Sequence, residues 1–262
     1  MAPASKTCSH CGRLNAAEDR RCSRCERRLP SAWESALGAR WTSLLGKGSG
    51  ATTLFLVLSL AVYVALISGG RGLLQPVSPA RALRWGALVG DLGHSEPWRY
   101  LSAIFIHFTL MHLAFNLLAL VSFGRSLEQV IGSARFAALL LLSGLGGFVL
   151  SEFWYTLQPL TGGMSGGIFG LLGAEVGLRY AGRDVAWKKS AVSALGYGVA
   201  AALLPGPSVN NAAHFGGLLV GAAFGWVLFR AGWNLRADRA FGILAALLLV
   251  TTIAALAHGW LG

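Results

Sequence analysis

The sequence predicts an all-α membrane protein with seven spanning helices, preceded by a small polar module that carries every cysteine. Three observations support this. Apolar residues make up 54% of the 262-residue chain and charged residues 13%, with a mean hydropathy of +0.57, against about 25% charged in ordinary soluble domains. Seven apolar runs follow one another at 52–68, 100–122, 135–155, 165–181, 189–204, 212–229 and 240–258. Most approach the ~20 residues that cross a bilayer. In lipid they must be helices, because the backbone has no other hydrogen-bond partners there. All four cysteines lie ahead of the first run. This composition excludes an ordinary soluble enzyme and a disordered chain.

The module occupies residues 1–30. Cys8, Cys11, Cys22 and Cys25 form C-x2-C, ten residues, C-x2-C. Two such knuckles place four thiolates at the spacing of one tetrahedral Zn²⁺, as in a zinc ribbon. The segment has no apolar core, so a structural metal would supply its folding energy. Four cysteines leave no open coordination position, which argues against catalytic zinc. A pair of disulfides or free thiols is the competing reading. His10, between two ligands, reads as an exposed side chain. A basic linker with Gly and Ser follows over residues 31–51.

Charge sets the expected orientation. Net charge is +11, and nine of the 22 Lys and Arg lie in residues 1–47. Most of the others flank apolar runs, which is the pattern of membrane topology and not of a nucleic-acid-binding face. With the N-terminus in the cytoplasm, eighteen cations fall on the cytoplasmic side, leaving Arg71, Arg81, Arg84 and Arg99 opposite. The Arg-rich start has no apolar h-region or cleavage site, so no signal peptide is expected. Together these features fit a prokaryotic plasma membrane. The outer loop 69–98, with Trp85, Pro97 and Trp98, reads as an element lying in the membrane interface.

Ionisable groups inside a span are costly and point to function. The second run holds His107, His112 and Asn116, the fourth opens on Ser165, and the sixth holds His214. All three runs go from outside to inside, so these groups share one depth toward the outer leaflet. His112 and Asn116 are one turn apart on one helix face. Gly166, Gly170, Gly173 and Gly177 mark the fourth run, and Ala213, Gly217, Gly221 and Gly225 the sixth. Such stripes let backbones nearly touch. If they face each other, Ser165 and His214 meet at their outer ends. A neutral His can take the serine proton and return it to a leaving amine. The Asn116 amide, a His112 N–H and the Ser165 backbone N–H are available to hold the oxyanion. No Asp or Glu sits at this depth, so the set is a dyad.

The segments EPWRYLSAIFIHFTLMHLAFN (96–116), FGRSLEQVIGSARF (123–136), GGMSGGIFGLLG (162–173) and AHFGGLLVG (213–221) resemble the rhomboid family of intramembrane serine proteases. The resemblance implies a six-helix catalytic core over 52–230, with the C-terminal helix in 231–262 as a seventh, a 6+1 arrangement. It implies that Ser165 is the nucleophile and His214 the base, that His112 and Asn116 help form the oxyanion hole, and that His107 orients that site through hydrogen bonds. Trp98 and Arg99 match an outer-loop pair that acts as an interfacial anchor, and Glu128 matches a structural acidic position. Phe169 stands where Tyr is frequent; it can stack on His214 but cannot donate a hydrogen bond. Met164 narrows the pocket beside the oxyanion. Catalysis of this kind needs no cofactor.

The implied substrates are single-span membrane proteins cut near the outer surface, where Gly or Pro eases local unwinding of the helix. The cysteine module suggests a protein partner. The competing reading is a catalytically inactive relative that binds or escorts transmembrane helices; the presence of Ser165, His214 and Asn116 counts against it. A proton-relay channel would show paired charges across the midplane, and the runs carry none.

Overall fold

A computed structural model describes residues 5–8, 13–16, 18–29, 49–68, 72–155, 159–203, 209–232 and 235–261. The chain divides into two compact units, Met1–Gly48 and Ser49–Gly262. His10, Cys11 and the linker up to residue 48 lie outside the described residues.

The N-terminal unit is built from a repeated knuckle, CSHCGR and CSRCER. Strands β1 (Ser5–Thr7) and β2 (Leu14–Ala16) pair antiparallel, with Thr7 opposite Leu14, and close the first. An Arg21–Arg28 bridge closes the second. In each knuckle the first cysteine's N–H donates to the arginine carbonyl five residues on, Cys8 to Arg13 and Cys22 to Arg27, both at 2.8 Å. Glu26 takes φ 56°. Asn15 ties the two halves, its Oδ1 accepting the Ser23 N–H at 2.9 Å.

The second unit is helical. Its elements are α1 (Gly50–Ile67), α2 (Pro79–Arg84), α3 (Leu92–Ser95), α4 (Arg99–Ser102), α5 (Leu110–Ile131, with a π turn at Leu120–Gly124), α6 (Ser133–Trp154), α7 (Ser165–Ala181), α8 (Trp187–Ala202), α9 (Asn211–Ala231) and α10 (Leu235–Leu261). Helices α1, α5, α6, α9 and α10 are long and apolar enough to cross a membrane. This unit has an all-α, multi-pass membrane fold. Where seven spanning helices are expected, these five meet the length; α7 and α8 have 17 and 16 residues, and 17 residues rise only about 26 Å.

The largest difference from the sequence reading is in the second run. The run 100–122 is not a single helix. Short α4 continues as a 3-10 turn over Ala103–Phe105. The chain then extends at Ile106 (φ −83°, ψ 115°) before α5 starts. Thr109 causes the new start: it is extended, and its hydroxyl accepts the His112 N–H at 3.1 Å. A side-chain cap of this kind satisfies a first-turn amide that the helix itself leaves without a partner.

Helix α7 is the central element, and glycines set its distance from its neighbours. A Cβ on Gly217, Gly221 or Gly225 of α9 would lie 2.0, 2.0 and 2.3 Å from the carbonyl oxygens of Gly166, Gly170 and Ala174. A Cβ on Gly173 or Gly177 would lie 2.1 and 2.0 Å from the Leu218 and Ala222 carbonyls. The two expected stripes therefore face each other. On its other side α7 meets α6, where a Cβ on Gly170 would be 2.1 Å from Ser143 Cβ.

Buried charges tie the bundle together. Glu128 accepts from the Ala51 and Thr52 amides, both at 2.8 Å, and from the Thr52 and Ser133 hydroxyls at 2.6 and 2.5 Å. It thus caps α1 with a carboxylate at the positive end of the helix. Arg99, in the outer-loop pair with Trp98, is buried. It donates to the Leu83 and Ala87 carbonyls at 2.6 and 3.0 Å and pairs with Glu96 at 2.7 Å. Arg135 pairs with Asp238 at 2.8 Å, joining α6 to α10. At the far end of α10, Trp260 stacks on Trp85 at 5.7 Å.

Candidate active site

Ser165 is the first residue of α7, and His214 lies in the first turn of α9. Close packing of the two helices brings the Ser165 Oγ to 2.8 Å from His214 Nε2. His214 is 7% exposed and Ser165 half-buried. Phe169, one turn past Ser165, stacks flat on the imidazole, with ring centroids 4.3 Å apart and planes 16° from parallel. His214 Nδ1 is buried and has no hydrogen-bond partner among the described residues. The Ser165 contact and the Phe169 ring therefore hold the imidazole, where a triad would use a carboxylate.

The loop before α7 shapes the other side. Gly163 has φ 120°, and a Cβ there would lie 2.7 Å from His112 Nε2. The His112 ring thus rests against the backbone two residues before Ser165. Asn116 Nδ2 donates to the His112 carbonyl at 2.9 Å, one turn back, which uses one of its two N–H groups. Its Oδ1 is buried without a partner among the described residues. Because Ser165 opens α7, its own N–H and those of the next residues have no carbonyl within the helix to bond.

His107 is not on the helix that carries His112. It sits in the extended link before α5, fully buried, with Nδ1 3.1 Å from the Phe105 carbonyl. Its ring meets His112 edge-on at 5.0 Å. Its effect on His112 is a ring contact and not a hydrogen bond. Met164, beside the serine, is fully buried.

Sequence reasoning missed Asn210, the N-cap of α9, whose side chain reaches Ser151, Thr161 and the Ala213 amide. The available signal was an Asn just ahead of an apolar run, a common helix start.

In the N-terminal unit Cys8, Cys22 and Cys25 bring their sulfurs within 4.8 Å of one another. Cys8 and Cys22 are buried, at 3% and 1% exposure. The Cys8–Cys25 Sγ separation is 3.7 Å, far beyond the roughly 2.05 Å of a disulfide. It matches the ~3.8 Å between two sulfurs that share a tetrahedral Zn²⁺ at about 2.3 Å each. These three residues fit a metal site; the fourth expected ligand, Cys11, is outside the described residues.

The family described as the rhomboid domain matches residues 94–231, which include Ser165, His214 and all the polar residues around them. RHOMBOID-like protein 2 of Arabidopsis thaliana is 34% identical over 190 residues, 68% of this chain and 59% of that protein. Rhomboid protease GluP of Bacillus subtilis is 34% identical over 223 residues, 80% of this chain and 39% of its own length. Rhomboid protease GlpG of Salmonella paratyphi A is 33% identical over 137 residues, 50% of this chain and 49% of that protein. The chain thus spans about two fifths to three fifths of the length of these three relatives. With the family pattern covering more than half of its length, the chain belongs to the rhomboid domain family.

Proposed function

We propose that this chain is an intramembrane serine endopeptidase that cleaves single-span membrane proteins near the outer membrane surface by a Ser165–His214 dyad. The observation that carries the reading is the 2.8 Å contact between Ser165 Oγ and His214 Nε2 at the meeting ends of α7 and α9. Named rhomboid proteases among the relatives support it.

The chemistry follows from the groups present. Ser165 Oγ attacks the scissile carbonyl carbon while His214 Nε2 takes its proton. The carbonyl oxygen becomes an oxyanion, held by the Ser165 N–H, the second N–H of Asn116 Nδ2 and the His112 ring. The C–N bond breaks as His214 returns the proton to the leaving amine. Water, deprotonated by His214, then hydrolyses the acyl ester and frees Ser165. Phe169 and His107 act on ring placement, and no step requires a cofactor. A spanning helix hides its carbonyls in its own hydrogen bonds, so a substrate must unwind locally, most cheaply at Gly or Pro.

The rest of the chain is read as follows. Residues 1–30 form a module holding one structural Zn²⁺ at Cys8, Cys11, Cys22 and Cys25, and offer a protein-binding surface. Residues 31–51 are a linker, 52–230 the six-helix catalytic core, and 231–262 an added helix. The N-terminus lies in the cytoplasm of a prokaryotic cell, on the side rich in Lys and Arg.

The deciding experiment compares wild type, Ser165→Ala and His214→Ala on tagged single-span substrates in liposomes. Wild type cuts and both variants fail. Folded wild type that cuts nothing across helix-destabilised substrates would favour the inactive, helix-escorting reading. A cutting Ser165→Ala would remove Ser165 as nucleophile.

A further inference from the structure

We propose that Asn210 is a positioning residue that sets the distance between Ser165 and His214; the proposal rests on the Ser–His reading above. One side chain joins three segments here. Asn210 Nδ2 lies 2.6 Å from Ser151 Oγ and 3.1 Å from Thr161 Oγ1. Its Oδ1 accepts the Ala213 N–H at 2.9 Å and lies 3.0 Å from Ser151 Oγ. Its backbone carbonyl accepts the His214 N–H at 3.2 Å. Asn210 therefore starts the helix turn that carries His214.

The partners are fixed points. Ser151 is fully buried in the last turn of α6, and Thr161 is 5% exposed. Thr161 is bonded both ways to the Leu88 backbone, at 2.8 and 3.0 Å, and lies four residues before Ser165. The amide thus spans from the loop that delivers the serine to the turn that delivers the histidine.

This link supplies what the glycine contacts lack. Backbone packing between α7 and α9 sets how close the helices come. It constrains sliding and rotation only weakly, because dispersion contacts have no preferred direction. Hydrogen bonds are short and directional, so the Asn210 set fixes the register at the outer ends. A displacement near 1 Å at a reacting pair costs on the order of 100-fold in rate.

Leucine at 210 has a similar size but leaves the Ala213 amide and two hydroxyls without that partner. Aspartate keeps the cap and can accept from both hydroxyls, since each can rotate to donate. The full chain is assayed in liposomes for cleavage of a tagged single-span substrate and for labelling by a fluorophosphonate, a probe that reacts with activated serines and needs no helix recognition. Asn210→Leu lowers kcat and the labelling rate by about 10- to 100-fold, with KM within about twofold. Asn210→Asp restores most of that loss. Thr161→Val, which removes one of the contacts, gives a smaller loss of the same kind and decides the matter if Asn210→Leu does not fold.

Wild-type kcat and labelling in Asn210→Leu, or in Thr161→Val where it stands in, would overturn the proposal. So would a loss that appears only in KM, or one that Asn210→Asp fails to relieve. Wild type that is neither active nor labelled at Ser165 would overturn the dyad reading itself.

Discussion

A Cβ placed on Gly217 would lie 2.0 Å from the carbonyl oxygen of Gly166, the residue that follows Ser165. No side-chain movement relieves that clash, because the obstacle is backbone. The expected outcome for Gly217→Ala is a loss of about 1–3 kcal/mol in stability, together with a fall in cleavage as α7 and α9 separate. Gly196→Ala on α8, where a Cβ meets nothing within 4 Å, should instead gain up to about 1 kcal/mol from helix propensity. Reversible unfolding in mixed micelles distinguishes them; equal midpoints would contradict the packing argument.

The Phe169 ring lies 4.3 Å from the His214 ring in a flat stack. Removing it in Phe169→Ala should lower kcat about 2- to 10-fold, as expected for losing a ring contact of about 0.5–1.5 kcal/mol that holds the base. Phe169→Tyr keeps the stack and should stay within roughly threefold of wild type. Single-turnover cleavage measures both. An unaffected Phe169→Ala would mean that the Ser165 bond alone orients His214.

The cysteine module should carry one zinc per chain, measured by elemental analysis of the purified full-length protein. Cys22→Ser should abolish stoichiometric metal, because the buried Cys22 thiolate is one of the clustered donors. A strong chelator should do the same and leave the module open to proteolysis. Zinc content unchanged by Cys22→Ser would exclude this site.

Glu128 receives four donors from Ala51, Thr52 and Ser133. Glu128→Ala leaves the buried Ala51 and Thr52 donors without that partner and should cost about 3 kcal/mol. The effect should be local to the start of α1, seen as faster hydrogen exchange at the Ala51 and Thr52 amides. Exchange that accelerates equally throughout the bundle would show that the cap is not local.

The parts of the fold that came through in the sequence are those with a strong one-dimensional signal. The run 165–181 matches α7 at both ends, because Ser165 follows a glycine-rich turn and Gly182 ends the helix. The facing glycine stripes were legible from spacing alone. The run 100–122 was misread because hydropathy is continuous across Ile106–Thr109, whereas the break comes from a local cap by Thr109. The partners of Arg99 were not legible, because the carbonyls it satisfies, Leu83 and Ala87, are 16 and 12 residues away.

The amino-acid sequence by itself determined the membrane class, the identity of the polar residues that apolar helices carry, and the small-residue stripes that bring two helices together. It did so because burial in lipid penalises every polar or bulky exception, so each one left stands out. The tertiary structure decided what those exceptions touch. Ser165 meets His214 at 2.8 Å, His107 meets the Phe105 carbonyl and the edge of the His112 ring, and Asn210 ties together segments from three parts of the chain. Contacts between residues 49 or 59 positions apart depend on angles and distances set only when all the helices pack at once, and no local pattern encodes them.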